Sequence, residues 1–595
     1  MSTKPTKNLR TAIRRWFRRH RGALSWGFVS LATGLTLVLG VFGFSEIEPV
    51  ATPISTRIYL AVQLLALESG AFQDQSSVSW PLEVARWTGV IASLGIVLNT
   101  LVAVFSRQID SFLLRRLTRH AVVIGVNPDS TQLASDLLAD GYRVTVIDDE
   151  EANPEITVLI ERGACEVIGD AQEPEILEAA AVHNAEVVVI FDGSDTRNLE
   201  ILLTINQSLD QRTLEFAPLQ CHVHTTDERL QELLELHTRD QATELQLETT
   251  TFNRFTNSAR LLLAKTPLDR KRIVSGDRHH VHLVIAELSS LGEALLIQAL
   301  AAGHFANDYP LKVTVIDESA SRKEQRLLTR IPELHDCGEI TFIDGFLDQV
   351  AVRNRLREFL VDPMKMVSIA ICQEESQLAL TTCMDLIPLL TTTNNTVFVN
   401  LAEDERVAAL LEQVPEAAIQ IFPFGNAQEA CSATSIIRHD LDTIAELIHN
   451  EYCAKRTRDG DSAADYPAMR PWNQLAANLR DANRQQADHI PVKLRALGYR
   501  MVEASTADDG VSFQPGEDEI EALARAEHRR WCCNRRLAGW RSGSPRDNTA
   551  KVHPDLVPWE ELDEPTREYD REPIRNLPKL LASIGYRIEK AAPQS

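Results

Sequence analysis

Two stretches without one charged side chain constrain this sequence more than anything else in it. Residues 22–45, GALSWGFVSLATGLTLVLGVFGFS, and residues 87–106, WTGVIASLGIVLNTLVAVFS, are each long enough to cross a bilayer, which takes about 20 apolar residues in a helix. A secretory signal would have a shorter apolar core and a small-residue cleavage site, and the first stretch shows neither. Between them lies IYLAVQLLALESGAFQ, residues 58–73, apolar for about ten residues and then broken by a glutamate. That segment is half a membrane helix, and its position between two full ones needs a reason.

Basic residues orient the spans. The first 21 residues hold eight Lys or Arg and no acid, and Arg107, Arg115, Arg116 and Arg119 follow the second span. The intervening loop has two arginines, Arg57 and Arg86. The positive-inside rule therefore places both termini in the cytoplasm. The remaining chain is an acidic cytosolic body, the net charge being −23 despite the basic start, which excludes nucleic acid as a natural partner. The nine cysteines are scattered with no C-x-x-C pair, as in a reducing compartment.

Ser55 and Thr56 are placed to cap a short helix over 55–67, and Gly70 frees the backbone after it. Half a helix followed by irregular backbone is tolerated at membrane depth only against protein or a water-filled cavity. Span, short helix, loop, span resembles the pore module of tetrameric cation channels. That resemblance implies a homotetramer passing inorganic cations through the bilayer, with Glu68, Ser69 and Gly70 in the filter position. The departure is plain: a potassium filter reads T-V-G-Y-G, whereas here the stretch is LALESGAF. Four copies of Glu68 would make a carboxylate ring, a device that draws cations; alternatively Glu68 turns back into protein to pair with Arg57.

From His120 the pattern changes to strands alternating with helices. HAVVIGV, YRVTVIDD, CEVIGD, AEVVVIFDG and LQCHVHTTD are continuous apolar strands, and the series restarts with HVHLVIAE, LKVTVIDES, EITFIDG, MVSIAICQEE, TVFVNLAED and IQIFPFG. Such strands with intervening helices predict two parallel sheets of Rossmann type. VTVID occurs at 144–148 and again at 313–317, the mark of an internal duplication. A pore followed by two such units resembles the RCK (regulator of potassium conductance) domains of ligand-gated channels, over residues 120–455. The resemblance implies a gating ring, with Gly125, Asp148, Asp170 and Asp317 at the places where family members bind a dinucleotide. The fingerprint itself is eroded. The G-x-G-x-x-G slot reads GVNPDS, with Asn127 and Ser130 replacing two glycines and Asp129 adding a negative charge, so an NAD-type ligand is not expected. Two H-x-H pairs, His222 with His224 and His280 with His282, each share a strand face; strand histidines of this kind are more often packed than metal-bound, and no metal site is expected.

After a polar linker at 456–470 comes EALARAEHRRWCCNRRLAGWRSGSPRDNTAKVHPDLVPWEELDEPTREYD. Residues 516–590 resemble the ryanodine-receptor repeat (RyR) domain of calcium-release channels and of bacterial proteins, with Trp559 where the family usually has tyrosine. PVKLRALGYRM at 491–501 and PKLLASIGYRI at 578–588 are near copies, which suggests two related helical hairpins and a module beginning near Pro471. Trp531, Trp540, Trp559, Arg535, Arg536, His553 and Pro554 gather aromatic faces and fixed positive charge, a combination suited to a stacked base with its phosphates held by arginine. RyR domains are similarly expected to hold nucleotide-like ligands. The competing reading puts the tryptophans in a small core, with Trp531 foremost. Cys532 and Cys533 read as packing residues.

The sequence thus predicts a membrane α-helical pore module, two tandem α/β Rossmann-like domains and a C-terminal, mainly α-helical RyR domain. The segments are a basic start (1–21), the pore module (22–106), a gating linker (107–119), two RCK-like domains (120–250 and 279–455), the polar linker and the C-terminal module (471–595). The expected function is a ligand-gated cation channel of the bacterial inner membrane. The alternative is a non-conducting membrane sensor, or an antiviral-defence effector, that recruits partners through the same domains. No nucleophile, base and oxyanion set supports an enzyme.

Overall fold

The computed structural model describes residues 21–47, 53–66, 78–114, 120–209, 217–227, 229–231, 233–234, 247–390, 395–402, 407–408, 411, 420–463, 466–504 and 513–591. The chain divides into two compact units, Met1–Leu117 with Glu178–Ala181, and Thr118–Leu177 with Val182–Ser595. Glu68, Ser69 and Gly70 lie outside the described residues.

In the first unit three helices follow one another: α1 (Arg21–Ile47), α2 (Ile54–Leu65) and α3 (Trp80–Leu114). The stretches Ser25–Glu46 and Trp80–Leu101 are long and apolar enough to cross a membrane. Small residues set the contacts, as they do between helices in lipid. A Cβ on Gly40 would fall 2.9 Å from Ala61 Cβ, one on Gly89 2.8 Å from the Leu64 carbonyl oxygen, and one on Gly95 2.7 Å from Val29 Cγ2. Thr36, fully buried, donates to Thr88 Oγ1 at 2.9 Å, and Ser93 Oγ donates to the Leu65 carbonyl at the end of α2. The short helix is thereby fixed between the long ones. Its N-cap is Pro53, with no side-chain cap bond: Ser55 and Thr56, expected as caps, sit inside the first turn. Helix α3 also begins earlier than the apolar stretch and continues to Leu114, so most of the expected gating linker is helix.

The second unit holds two six-stranded sheets. The first comprises β1 (Ala121–Ile124), β2 (Val144–Asp148), β3 (Cys165–Ile168), β4 (Val187–Ile190), β5 (Leu219–His224) and β6 (Leu247–Phe252), in the order β3-β2-β1-β4-β5-β6. The second comprises β7 (His280–Ala286), β8 (Lys312–Asp317), β9 (Glu339–Asp344), β10 (Lys365–Ile371), β11 (Thr396–Asn400) and β12 (Gln420–Phe424), in the order β9-β8-β7-β10-β11-β12. The two orders are one topology, and the two VTVID strings are the same strand in it. All ladders in these sheets are parallel, and the central strands β1 and β4 are buried along their whole length, as apolar runs in parallel sheets are. Strand β6, LETTTF, is an edge strand the hydrophobic pattern does not reveal.

Helix α4 (Pro128–Ala139) follows β1, α5 (Arg254–Lys265) crosses to the second sheet, and α6 (Ser290–Ala302) follows β7. The C-terminal module contains α7 (Thr443–Arg458), α8 (Ala477–Asp488), α9 (Ile490–Ala496), β13 (Tyr499–Glu503), α10 (Glu517–Leu537), β14 (Arg541–Ser542), β15 (Val552–His553), α11 (Glu564–Arg575), α12 (Leu577–Ala582) and β16 (Tyr586–Lys590). Helix α7, most of which falls inside the expected bounds 279–455 of the second sheet domain, packs on α8. Ala430, Cys431, Ala433 and Ile436 return to the core of the first sheet domain. Val492, Cys533 and Leu537 enter the core of the second, with Leu296 and Leu300 of α6.

Candidate ligand site in the C-terminal module

Helix α10 is amphipathic and carries five arginines, and their partners separate them. Arg529 donates to the Phe305 carbonyl at 2.7 Å and pairs with Asp308. Arg530 is held by Glu527 at 2.9 Å, and Arg536 donates to Glu333 at 3.2 Å. Arg525 reaches Glu560 at 3.4 Å. Arg535 meets no carboxylate among the described residues, and its Nε is buried without a hydrogen-bond partner. Burial, with Arg546 and Arg530 nearby, pulls its pKa below the usual guanidinium value. Leaving a partly desolvated cation unpaired is unfavourable, and an arriving anion would relieve that cost.

Gly539, at φ +79°, turns the chain out of α10, so that Trp540 N donates to the Arg535 carbonyl at 2.9 Å. The indole of Trp540 then folds back beside the helix. The guanidinium of Arg535 lies 5.4 Å from the Trp540 ring and 5.7 Å from the Trp531 ring, within cation–π range. The short ladder of β14 with β15 sets His553 beside both indoles, 5.0 Å from Trp531 at 77° and 6.1 Å from Trp540 at 64°. Burial and Arg546 lower the His553 pKa. The cluster offers the half-buried Trp531, Trp540 packed on Cys532 and Leu556, an imidazole, and two arginines, Arg535 and Arg546, that meet no carboxylate among the described residues.

Trp531, Arg535, Trp540 and His553 are thus brought together, with Pro554 exposed at the rim. Two residues expected with them lie elsewhere. Arg536 points to Glu333 beside the second sheet domain. Trp559 is 5% exposed, donates through Nε1 to Glu521 at 3.1 Å and carries Arg567 and Arg571 over its ring; it is a core residue. Trp531, which the competing reading put foremost in a core, is half-buried, and Trp540 is 9% exposed. Apolar spacing located the right helix and ranked the wrong indole, because the face of α10 is shared between the module's core and this cluster. Arg546, whose charge acts on both Arg535 and His553, had no sequence signal beyond lying in the loop between them.

Behind the cluster His528 hydrogen-bonds the Val557 carbonyl at 2.8 Å, faces Asp570 at 3.3 Å and stacks on Trp531 at 5.8 Å and 23°. Burial opposes its charge, yet Asp570, Cys532 and Val557 together raise its pKa to about 10. Trp531 is therefore backed by an imidazolium.

The eroded dinucleotide slot is filled by its own side chains. Asn127 caps α4, accepting from Ser130 N at 3.0 Å and donating to the Phe191 carbonyl at 3.0 Å. Ser130 Oγ donates to the Gly125 carbonyl at 2.8 Å. Asp129 is paired with Arg254 at 2.9 Å. Gly125 has φ +81°, and a Cβ there would lie 2.6 Å from Asp192 Cα, so this glycine serves strand packing. Asp148 accepts from Val126 N at 2.7 Å and Glu150 N at 2.9 Å. Asp170 shares Arg197, at 3.1 Å, with Asp149 and Asp192. Asp317, 4% exposed, accepts from Leu288 N at 2.8 Å and Lys323 at 2.6 Å. Each of these three carboxylates, expected at a dinucleotide, is engaged by the chain itself. His222 contacts Thr250 Oγ1 at 2.8 Å and His282 contacts Thr314 Oγ1 at 2.9 Å, while His280 lies against the Tyr309 ring.

Residues 121–237 match the TrkA-N domain and residues 514–590 match the RyR domain. Among solved structures the chain is similar to GsuK bound to ADP, at 15% identity over 69% of this chain and 96% of that one, TM-score 0.39. It is also similar to the GsuK channel, at 16% identity over 69% and 96%, TM-score 0.38. A third similarity is to the GsuK channel bound to NAD, at 14% identity over 68% and 81%, TM-score 0.36.

Proposed function

We propose that this chain, which carries a TrkA-N domain and a RyR domain, is one subunit of a ligand-gated, homotetrameric cation channel of the bacterial inner membrane with both termini cytoplasmic. Its C-terminal module is the sensor and binds a nucleotide-type ligand. The observation that carries this reading is Arg535, a half-buried arginine between two indole rings, its Nε buried without a hydrogen-bond partner and no carboxylate against it among the described residues. A planar base stacks on indole and a phosphate pairs with guanidinium in two parallel hydrogen bonds. In the first unit, a half-length helix fastened between two spanning-length ones supports a pore, and Glu68 is the residue assigned to attract the cation. The sheet domains pass the signal on: α10 packs on α6 of the second sheet domain, so a shift of the module's equilibrium loads that domain. A ligand moves such an equilibrium only by its differential affinity for the two states.

The test is ion flux from liposomes holding the purified full chain, with and without nucleotides, for wild type and Glu68→Gln. Nucleotide-dependent flux that the substitution alters is the expected result. A folded tetramer that passes no cation overturns the channel and leaves a non-conducting sensor.

A further inference from the structure

The C-terminal module is built twice. The first copy runs from α7 through β13 and the second from α10 through β16. His449 sits 3.4 Å from Cys453 Sγ, and His528 sits 3.4 Å from Cys532 Sγ. The first imidazole hydrogen-bonds the Arg470 carbonyl at 2.7 Å and lies 6.0 Å from Trp472 at 52°; the second hydrogen-bonds the Val557 carbonyl at 2.8 Å and lies 5.8 Å from Trp559 at 59°. Each tryptophan opens a short 3-10 turn directly after a proline. The copies meet at an antiparallel ladder whose central pair, Met501 with Ile588, joins equivalent residues. The sequences agree once aligned on these contacts, IHNEYC with EHRRWC and PWNQL with PWEEL. Arg456 is therefore the counterpart of Arg535, and Tyr452 of Trp531.

The two arginines have different surroundings. The second copy follows its helix with the longer excursion that carries Trp540, Arg546 and His553, and among the described residues Arg535 meets no carboxylate. The first copy has a shorter connection that folds back on its own arginine. The Arg456 guanidinium lies 4.5 Å from the Tyr466 ring, and its Nε, buried and without a hydrogen bond of good geometry as in Arg535, lies 2.9 Å from Asp461 Oδ2 in an ion pair. The side chains of Arg456 and Asp461 are 33% and 22% exposed, so water screens this pair only in part. The same arginine is thus given an aromatic face and an anion by the chain in one copy, and aromatic faces without an anion in the other.

We infer that Asp461 is a built-in substitute for the anionic group of the ligand. The first copy is a second ligand site held shut by its own carboxylate, and each chain keeps one open site, at Arg535. This rests on the reading of the Arg535 cluster as the ligand site, and it adds that the ligand brings a phosphate- or carboxylate-class anion to that guanidinium. It further assigns Tyr452, Arg456 and Tyr466 as the lining of the closed site.

The test is calorimetric titration of the full chain in detergent with ATP and, separately, ADP. Wild type is expected to bind one equivalent per chain at the module, weakened about 10-fold or more by Arg535→Gln, the usual effect of deleting a charge-assisted hydrogen bond. Asp461→Ala is expected to add a second equivalent that Arg456→Gln removes. Asp461→Asn, which keeps the shape and deletes the charge, serves if the alanine variant does not fold. One equivalent in both Asp461 variants overturns the inference and leaves the Arg535 site intact, as do two equivalents in wild type. Binding that Arg535→Gln does not change, or none to any form, overturns the Arg535 reading and the inference with it.

Discussion

Arg260 Nη1 lies 2.8 Å from Asp442 Oδ1, with the two side chains 6% and 5% exposed. Arg260 belongs to α5, between the two sheets, and Asp442 to the turn that opens α7 of the C-terminal module. Arg484 of α8 reaches the same carboxylate at 2.5 Å, and Asp488 accepts from Arg260 at 2.8 Å and from Gln298 of α6 at 2.8 Å. Burial by itself would raise the Asp442 pKa, but Arg484 and Arg260 more than reverse it and hold it well below the usual carboxylate range. Sheet domains and module are therefore joined through a desolvated charge network. Taking away one partner of a buried pair leaves the others uncompensated, at about 3–5 kcal/mol. Asp442→Asn should lower the chemical-denaturation midpoint of the full chain accordingly, whereas Arg229→Ala, at an exposed pair with Asp227, should leave it in place.

His528 makes the module's stability fall as pH rises. Its folded pKa of about 10 lies above the model-peptide value of 6.5. A raised pKa contributes stability that is complete below 6.5 and is lost as pH climbs towards 10. Thermal melts between pH 6 and 10 should therefore show a declining Tm that flattens in His528→Gln. Equal slopes in the two proteins would mean that Asp570 does not hold the proton on His528 in solution.

Much of this fold is written in the apolar runs, because a parallel strand buried on both faces has no polar alternation to confuse it. The repeated VTVID gave the duplication, and the structure repeats the whole strand order around it. Strand β6 escaped because its threonines bury little apolar area and it is paired on one side only. The opening of the C-terminal module at α7 escaped for another reason. Its signal is His449 and Cys453 at the spacing of His528 and Cys532, with Trp472 in the place of Trp559, and the shorter connection before Trp472 hides the match from a search at constant offset. The near copies ending in GYRM and GYRI were visible, but each continues from helix into strand, so the expected pair of hairpins is two helix–strand units joined by one ladder.

Trp531 and Trp559 should part company on substitution. Trp531 is half-buried beside an unpaired arginine, while Trp559 is packed with Ile520, Leu523 and Ile574 and hydrogen-bonded to Glu521. Trp559→Ala should cost about 3–5 kcal/mol, as large-to-small changes of a buried tryptophan do. Trp531→Ala should cost about 1 kcal/mol and abolish the nucleotide effect on flux, with Trp540→Ala weakening both. Melting curves alongside flux assays separate these effects. A Trp531→Ala protein that still responds to nucleotide would place the stacking face elsewhere.

Restoring glycines to the degraded fingerprint should not restore a dinucleotide site. Asn127→Gly with Ser130→Gly removes the reciprocal cap of α4 together with the bonds to the Phe191 and Gly125 carbonyls. At about 1 kcal/mol for each net hydrogen bond and a few tenths for a glycine N-cap, the pair should destabilise the first sheet domain by about 2 kcal/mol. Space alone does not make the site. Asp129 still presents a carboxylate at the helix start, and Asp148 is still occupied by the Val126 and Glu150 amides. Titration of the double variant with NAD, read by the shift in Tm, should give no stabilisation. A clear rise would show that the two side chains alone close the slot and that the acidic residues behind them accept a ribose.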